Sequence, residues 1–139
     1  MKRTFAIISV CLLMLGFAAS SDAGMYLYAN AANTSGGLRF DVAEGTVIDI
    51  AGSLTSSSAG SSSVLYADIF KGYWGLGVQA TIPSAGDTVY DLSIQFAVEQ
   101  PVNDNIALGI GVPIVNVNTA SPTTTTMFSA FSLYSIIKI

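Results

Sequence analysis

From Tyr90 to Val98 every second position carries a large apolar side chain: Tyr90, Leu92, Ile94, Phe96 and Val98. Asp91, Ser93, Gln95, Ala97 and Glu99 fill the positions between and just after them. A period of two is the signature of a β-strand with two unlike faces. The same alternation recurs along the chain. Leu38, Phe40 and Val42 alternate with Arg39 and Asp41; Ile48, Ile50 and Leu54 with Val47, Asp49, Ala51 and Ser53; Leu65, Ala67 and Ile69 with Tyr66 and Asp68. Trp74, Leu76, Val78, Ala80 and Ile82 alternate with Gly75, Gly77, Gln79 and Thr81. At the end, Phe131, Leu133, Ile137 and Ile139 stand against Ser132, Tyr134, Ile136 and Lys138. With a short segment at Met25 to Asn30, the pattern predicts about eight strands.

The segment NDNIALGIGVPIVNVN, Asn103 to Asn118, sharpens the picture. Ile106, Leu108, Ile110, Val112 and Ile114 are bulky, while Ala107, Gly109 and Gly111 between them have almost no volume. A soluble sheet puts long polar side chains on the face away from its core. A face of glycine and alanine instead fits the crowded interior of a small closed barrel, because eight strands enclose only enough room for side chains. Pro113 lacks a ladder donor, so a bulge or the outer end of the strand is expected there, with the phase shifting near Val115.

The connections alternate as well. NAANTSGG, TSSSAGSSS, PSAGD and NTASPTTTT are expected to be long loops on one rim. AEG, KG and QPVNDN are expected to be compact turns on the other, as in outer-membrane barrels. The turn Ala43-Glu44-Gly45 predicts Val42 opposite Thr46, Phe40 opposite Ile48 and Arg39 opposite Asp49. A two-residue turn at Lys71-Gly72 predicts Tyr66 opposite Gly77 and Asp68 opposite Gly75, with tyrosine filling the space over a cross-strand glycine. Phe70, Tyr73 and Trp74 cluster at this turn, where they would belong to an aromatic girdle in a membrane barrel and to hairpin packing in a soluble protein.

Composition then narrows location and chemistry. Lys2 and Arg3, an apolar stretch from Phe5 to Ala19, and Ser21-Asp22-Ala23 make residues 1–23 a secretory signal, leaving 24–139 as the barrel domain. The apolar stretch is shorter than the roughly 20 residues of a spanning helix. Cys11, the one cysteine, lies within it, and the chain has no histidine. That excludes disulfides in the mature protein, thiolate and imidazole metal sites, and Ser-His-Asp hydrolysis. Past residue 23 the basic residues are Arg39, Lys71 and Lys138, against eight carboxylates, a balance unsuited to nucleic acid. No cofactor, no metal and no catalysis are expected.

The polar face carries Arg39, Asp41, Asp49, Asp68, Asp91, Gln95 and Glu99 together with the small residues. Buried unpaired carboxylates are costly, so these seven are expected to form an interior polar network centred on Arg39, with Asp49 as its cross-strand partner and Asp41, Asp68 and Asp91 as further candidates. Alternation alone does not say which face is inside. The scarcity of Lys and Glu on the polar face, where soluble sheets carry them for edge protection, points to apolar side chains facing lipid.

GLRFDVAEGTVIDIAG and VYDLSIQFAVEQPVNDNIALGIGV resemble the strand–turn–strand units of small eight-stranded outer-membrane β-barrel proteins of Gram-negative bacteria. The ending FSLYSIIKI alternates as theirs do but closes on Ile139 in place of an aromatic residue. The resemblance implies an all-β, antiparallel, up-and-down transmembrane barrel in the bacterial outer membrane. Outer-membrane lipid and the barrel-assembly machinery would be its partners, and the extracellular partner is unspecified. A structural or surface-interaction role is expected. The alternatives are a narrow cation-preferring pore and a soluble or fibre-forming exported β-sandwich subunit.

Overall fold

A computed structural model describes residues 24–31, 34–58, 60–129 and 131–139; the secretory signal expected at 1–23 lies outside them. The elements are β1 (Met25–Asn30), β2 (Ser35–Ala43), β3 (Thr46–Ser57), β4 (Gly60–Lys71), β5 (Trp74–Pro83), β6 (Val89–Asn103), β7 (Ile106–Asn118), β8 (Thr124–Met127) and β9 (Ser132–Lys138). Each strand pairs antiparallel with the next from β1 to β7, and β9 joins β7 to β1. This closes an eight-stranded, up-and-down antiparallel barrel. The pairing of β6 with β7 and of β9 with β1 rules out the open sandwich.

The eighth wall position is built in two pieces. Ile106 to Gly111 of β7 pair with β9, while Val115 to Asn118 of the same strand pair with β8. The break falls beside Pro113. There the β6–β7 ladder jumps from Ile94↔Val115 to Gln95↔Pro113, leaving Ile114 as the extra residue. Proline cannot donate, so the ladder bulges around it. Past the bulge the phase has changed, as expected: Val115 and Val117 align with outward Ile94 and Leu92, and Asn116 and Asn118 with inward Ser93 and Asp91.

Two registers differ from the sequence expectation, in instructive ways. Gly45 sits at φ +65°, the left-handed conformation that its turn requires. Arg39↔Asp49 and Phe40↔Ile48 pair as expected, but a bulge between Asp41 and Ala43 puts Ala43, not Val42, opposite Thr46. At the next turn the central residues are Gly72 and Tyr73, with Lys71 paired to Trp74. Gly72, at φ +59°, takes the first central position, where type II′ hairpins place glycine. The register is therefore two residues from the Lys71-Gly72 expectation. Asp68 faces Gly77, Phe70 faces Gly75, and Tyr66 faces Gln79. A shift of two keeps every side chain on its face, whereas a shift of one would have inverted the strand.

The long-loop expectation also needs correction. TSSSAGSSS is largely strand: Thr55↔Ser62, Ser56↔Ser61 and Ser57↔Gly60 continue the β3–β4 ladder. The threonines of NTASPTTTT supply β8. An adjoining hairpin extends such polar segments as strand, because pairing satisfies their backbone whatever their side chains. On the opposite rim QPVNDN tightens to Asp104-Asn105, with Asn103 Oδ1 accepting the N–H groups of Asn105 and Ile106, both at 2.9 Å.

Face assignment holds for most positions, although Phe40, expected on the outer face, is only 5% exposed. Leu76, Leu92, Ile94, Leu108 and Ile110 point outward, about half exposed or more, while Arg39, Asp49, Ala51, Phe70, Ala97, Tyr134 and Ile136 are buried inside. Phe70 is thus interior, not part of a girdle. Tyr73 and Trp74 are external, packed on Phe96 with ring centroids 5.9 Å and 5.3 Å away. The interior aromatics lie across glycines, though not those expected. A Cβ on Gly75 would come within 2.5 Å of the Phe70 ring, and one on Gly109 within 2.2 Å of Tyr134 Cζ.

The volume rule gives a paired prediction. Gly109→Ala forces Tyr134 off its site and should destabilise the barrel by about 1–3 kcal/mol. Gly36→Ala, whose Cβ would meet nothing nearer than 3.8 Å, should be close to neutral. Urea titrations of the two variants against the parent read the difference; equal midpoints would contradict it.

Candidate functional site: the polar lumen

The interior polar groups divide into a packed layer toward the tight turns and a cavity toward the opposite rim. Arg39 organises the first. Its Nε and Nη2 donate to Asp49 Oδ1 and Oδ2, both at 2.6 Å, the two-pronged pairing a guanidinium fits best. Its Nη1 donates to Glu99 Oε1 at 2.5 Å, and Tyr134 Oη donates to the same oxygen at 2.8 Å. The guanidinium carbon also lies 5.7 Å from the centroid of the Tyr134 ring, close enough for a cation–π contribution. Tyr28 packs against Tyr134, centroids 5.4 Å apart. Arg39 and Asp49 are each 3% exposed, so this is a desolvated ion pair in which each guanidinium nitrogen has a carboxylate partner.

Strand register explains why the layer is needed. Asp49 stands opposite Arg39 on one side and Asp68 on the other. Two carboxylates in direct cross-strand opposition repel. Arg39 neutralises one, and the other turns away: Asp68 Oδ1 accepts from Gln95 Nε2 at 2.6 Å, and that amide also donates to Ser93 Oγ at 3.0 Å. The three groups converge over Gly77, where a Cβ would lie 2.1 Å from Asp68 Oδ1.

The seven residues expected to form one network are therefore all on the lumen side, but they form four clusters. Arg39, Asp49 and Glu99 belong together, as do Asp68 and Gln95. Asp91 accepts from Asn118 Nδ2 at 2.8 Å, and Asp41 from Tyr26 Oη at 2.9 Å. Asp41, Asp68 and Asp91 are thus not partners of Arg39, because its three hydrogen-bonding nitrogens are already engaged. Tyr134, Tyr26 and Asn118 were missed as partners. Tyr134 was legible as inward-facing from the alternation of the last strand. Asn118 becomes inward only once the Pro113 bulge is placed.

Beyond this layer lies a cavity of about 290 Å³, bordered by Tyr66, Asp68, Gln79, Asp91, Asn116 and Phe131 among others. Its walls combine carboxylate, amide, hydroxyl and aromatic groups. Among the described residues there is no cluster of three or more metal-ligating side chains, and no helix long and apolar enough to cross a membrane, which bears on helices only. No protein family, curated protein or solved structure matched the chain on comparison.

Breaking the buried pair should be costly. Arg39→Ala strands Asp49 without a counter-charge and should lower stability by roughly 3–5 kcal/mol. Arg39→Met combined with Asp49→Leu should cost clearly less than the sum of the single changes. Denaturant unfolding of the four members of the cycle is the measurement, and additivity would refute the pairing.

Proposed function

We propose that the protein is a non-catalytic β-barrel of a bacterial outer membrane, exported by its 1–23 segment, with a structural or surface-interaction role. The observation that carries this reading is the outward face of a closed barrel. Leu76 is 61% exposed, Leu108 53%, Leu92 and Ile110 50% each, and all belong to one apolar wall. A water-exposed apolar surface of this extent would aggregate, whereas hydrocarbon accepts it. Closure pairs the strand edges around the ring, as lipid requires. Tyr73, Trp74 and Phe96 form an external aromatic cluster beside the tight-turn rim, the level at which barrels carry such rings. Membrane lipid and the assembly machinery are the partners this reading implies.

The narrow-pore alternative meets the Arg39 layer. Arg39, Asp49, Glu99 and Tyr134 are hydrogen-bonded across the lumen from β2, β3, β6 and β9, and Phe70, Ala97 and Ile136 are buried toward the same end. That packing favours a blocked lumen.

Two assays follow. The mature protein, folded in detergent, should run at different mobilities before and after boiling in SDS, and it should precipitate when detergent is removed. A detergent-independent soluble monomer would overturn the membrane reading. In planar bilayers it should give no conductance steps; reproducible cation-selective steps would favour the pore.

A further inference from the structure

We infer that Asp41 and Tyr26 form a capture site for a primary ammonium, the one created at Gly24 when the chain is cut after Ala23. This rests on the reading of residues 1–23 as an export signal, and it adds what the cut does for the barrel.

The site lies at the tight-turn end, where β1 begins. Gly24 is already held against β2: its carbonyl accepts the Asp41 N–H at 3.0 Å, just beyond the Met25↔Phe40 pair. Tyr26 Oη donates to Asp41 Oδ2 at 2.9 Å. Tyr26 stands opposite Arg39, and Asp41 follows Arg39 by two residues, so both share the lumen face. Both are partly buried.

The space beside Gly24 has the dimensions of a hydrogen-bonding site. An atom at its Cβ position would lie 2.9 Å from Asp41 Oδ2, 2.9 Å from Tyr26 Oη and 3.0 Å from Tyr26 Cε2. A methyl group there would crowd two oxygens. A nitrogen there would be at hydrogen-bond distance from both, with the tyrosine ring edge giving way slightly. In the uncut chain the Gly24 nitrogen is an uncharged amide tied to residue 23. Once residue 23 is gone, rotation about the Cα–C bond of Gly24 carries the freed amine to this position. The Gly24 carbonyl stays on the Asp41 N–H, and glycine has no Cβ to compete for the place.

Donors and acceptors then match. An ammonium has three donors and no acceptor. Asp41 Oδ2 and Tyr26 Oη both accept, while Tyr26 keeps its own bond to Asp41. Arg39, the nearest guanidinium along β2, gives its nitrogens to Asp49 and Glu99. Lys138, opposite Tyr26 on β9, is the competing cation, and it is exposed. The cut thus turns a neutral N–H into a cation beside a carboxylate–hydroxyl pair. It pins the start of β1 to β2, next to the β1–β9 seam that closes the barrel, after the signal has left.

The test compares chain 24–139, which begins at Gly24, with chain 23–139, in which the same charge is displaced by one residue. Both are folded in detergent and unfolded with urea. The folding equilibrium constant of 24–139 is expected to be roughly two- to fivefold higher, the size of a partly exposed ion pair. Asp41→Asn should abolish the difference, and Lys138→Met should leave it in place. A second measurement needs no substitution: acetylation of the first residue's amine by an activated ester, followed by mass spectrometry. It should be several-fold slower in folded 24–139 than in folded 23–139, and it decides the matter if Asp41→Asn does not fold, judged by boiling-dependent gel mobility. Equal stabilities or equal acetylation rates would overturn the capture site. So would a difference that survives Asp41→Asn or disappears with Lys138→Met. Expression of chain 1–139 in a Gram-negative host separates this inference from the export reading, and a product beginning at Gly24 is expected. Retention of residues 1–23 would overturn the export reading; a cut at another bond would overturn the capture site and leave that reading standing.

Discussion

A barrel closed at eight strands has an interior no wider than the side chains that meet across it, and this limit on volume governs the rest of the molecule. Bulk must go outward, so Leu, Ile and Val line the exterior. Polar groups that point inward must find partners within reach, so Arg39 takes Asp49 with two nitrogens and Glu99 with a third. Large inward rings fit only where the facing strand has no side chain: Phe70 lies over Gly75 and Tyr134 over Gly109. The glycines of GLGV and GIGV are thus the spaces that the aromatic and ionic layer occupies.

The same limit accounts for the distribution of charge. Asp49 and Asp68 stand opposite one another, an arrangement that a wider, wetter barrel would dilute with solvent. Here a guanidinium neutralises one carboxylate and an amide binds the other. A buried ion pair of this kind does not have to add net stability; removing one member is what costs. Its position near the tight turns leaves the other half of the lumen open as a cavity, with acceptors in excess of donors.

Much of this was legible in the chain because a period of two survives even where the register is misjudged. Arg39 opposite Asp49 followed from Gly45 and alternation alone. The Gly72 turn was misplaced by one residue, which shifts the register by two, yet Asp68 and Phe70 stayed on their face, since only an odd slip inverts a strand. Pro113 announced the bulge that brings Asn116 and Asn118 inward. Less legible were features set by pairing between distant segments. The serines of TSSSAGSSS read as a loop, but the β3–β4 ladder extends through them. Glu99 and Tyr134 come together with Arg39 only when the barrel closes, from strands far apart in sequence. The split of the last strand into β8 and β9 has no local signal beyond the proline across from it.

The outward orientation of the apolar face can be measured directly. Single-cysteine variants at Leu92, Ile94, Leu108 and Ile110, with Ser61 as an aqueous reference, would be spin-labelled and reconstituted into liposomes. The relaxation of each label by oxygen and by a water-soluble nickel chelate would then be compared. The account predicts that the four apolar sites are relaxed strongly by oxygen and weakly by nickel, with the reverse at Ser61. Nickel access at Leu92, Ile94, Leu108 and Ile110 equal to that at Ser61 would place this face in water and contradict it.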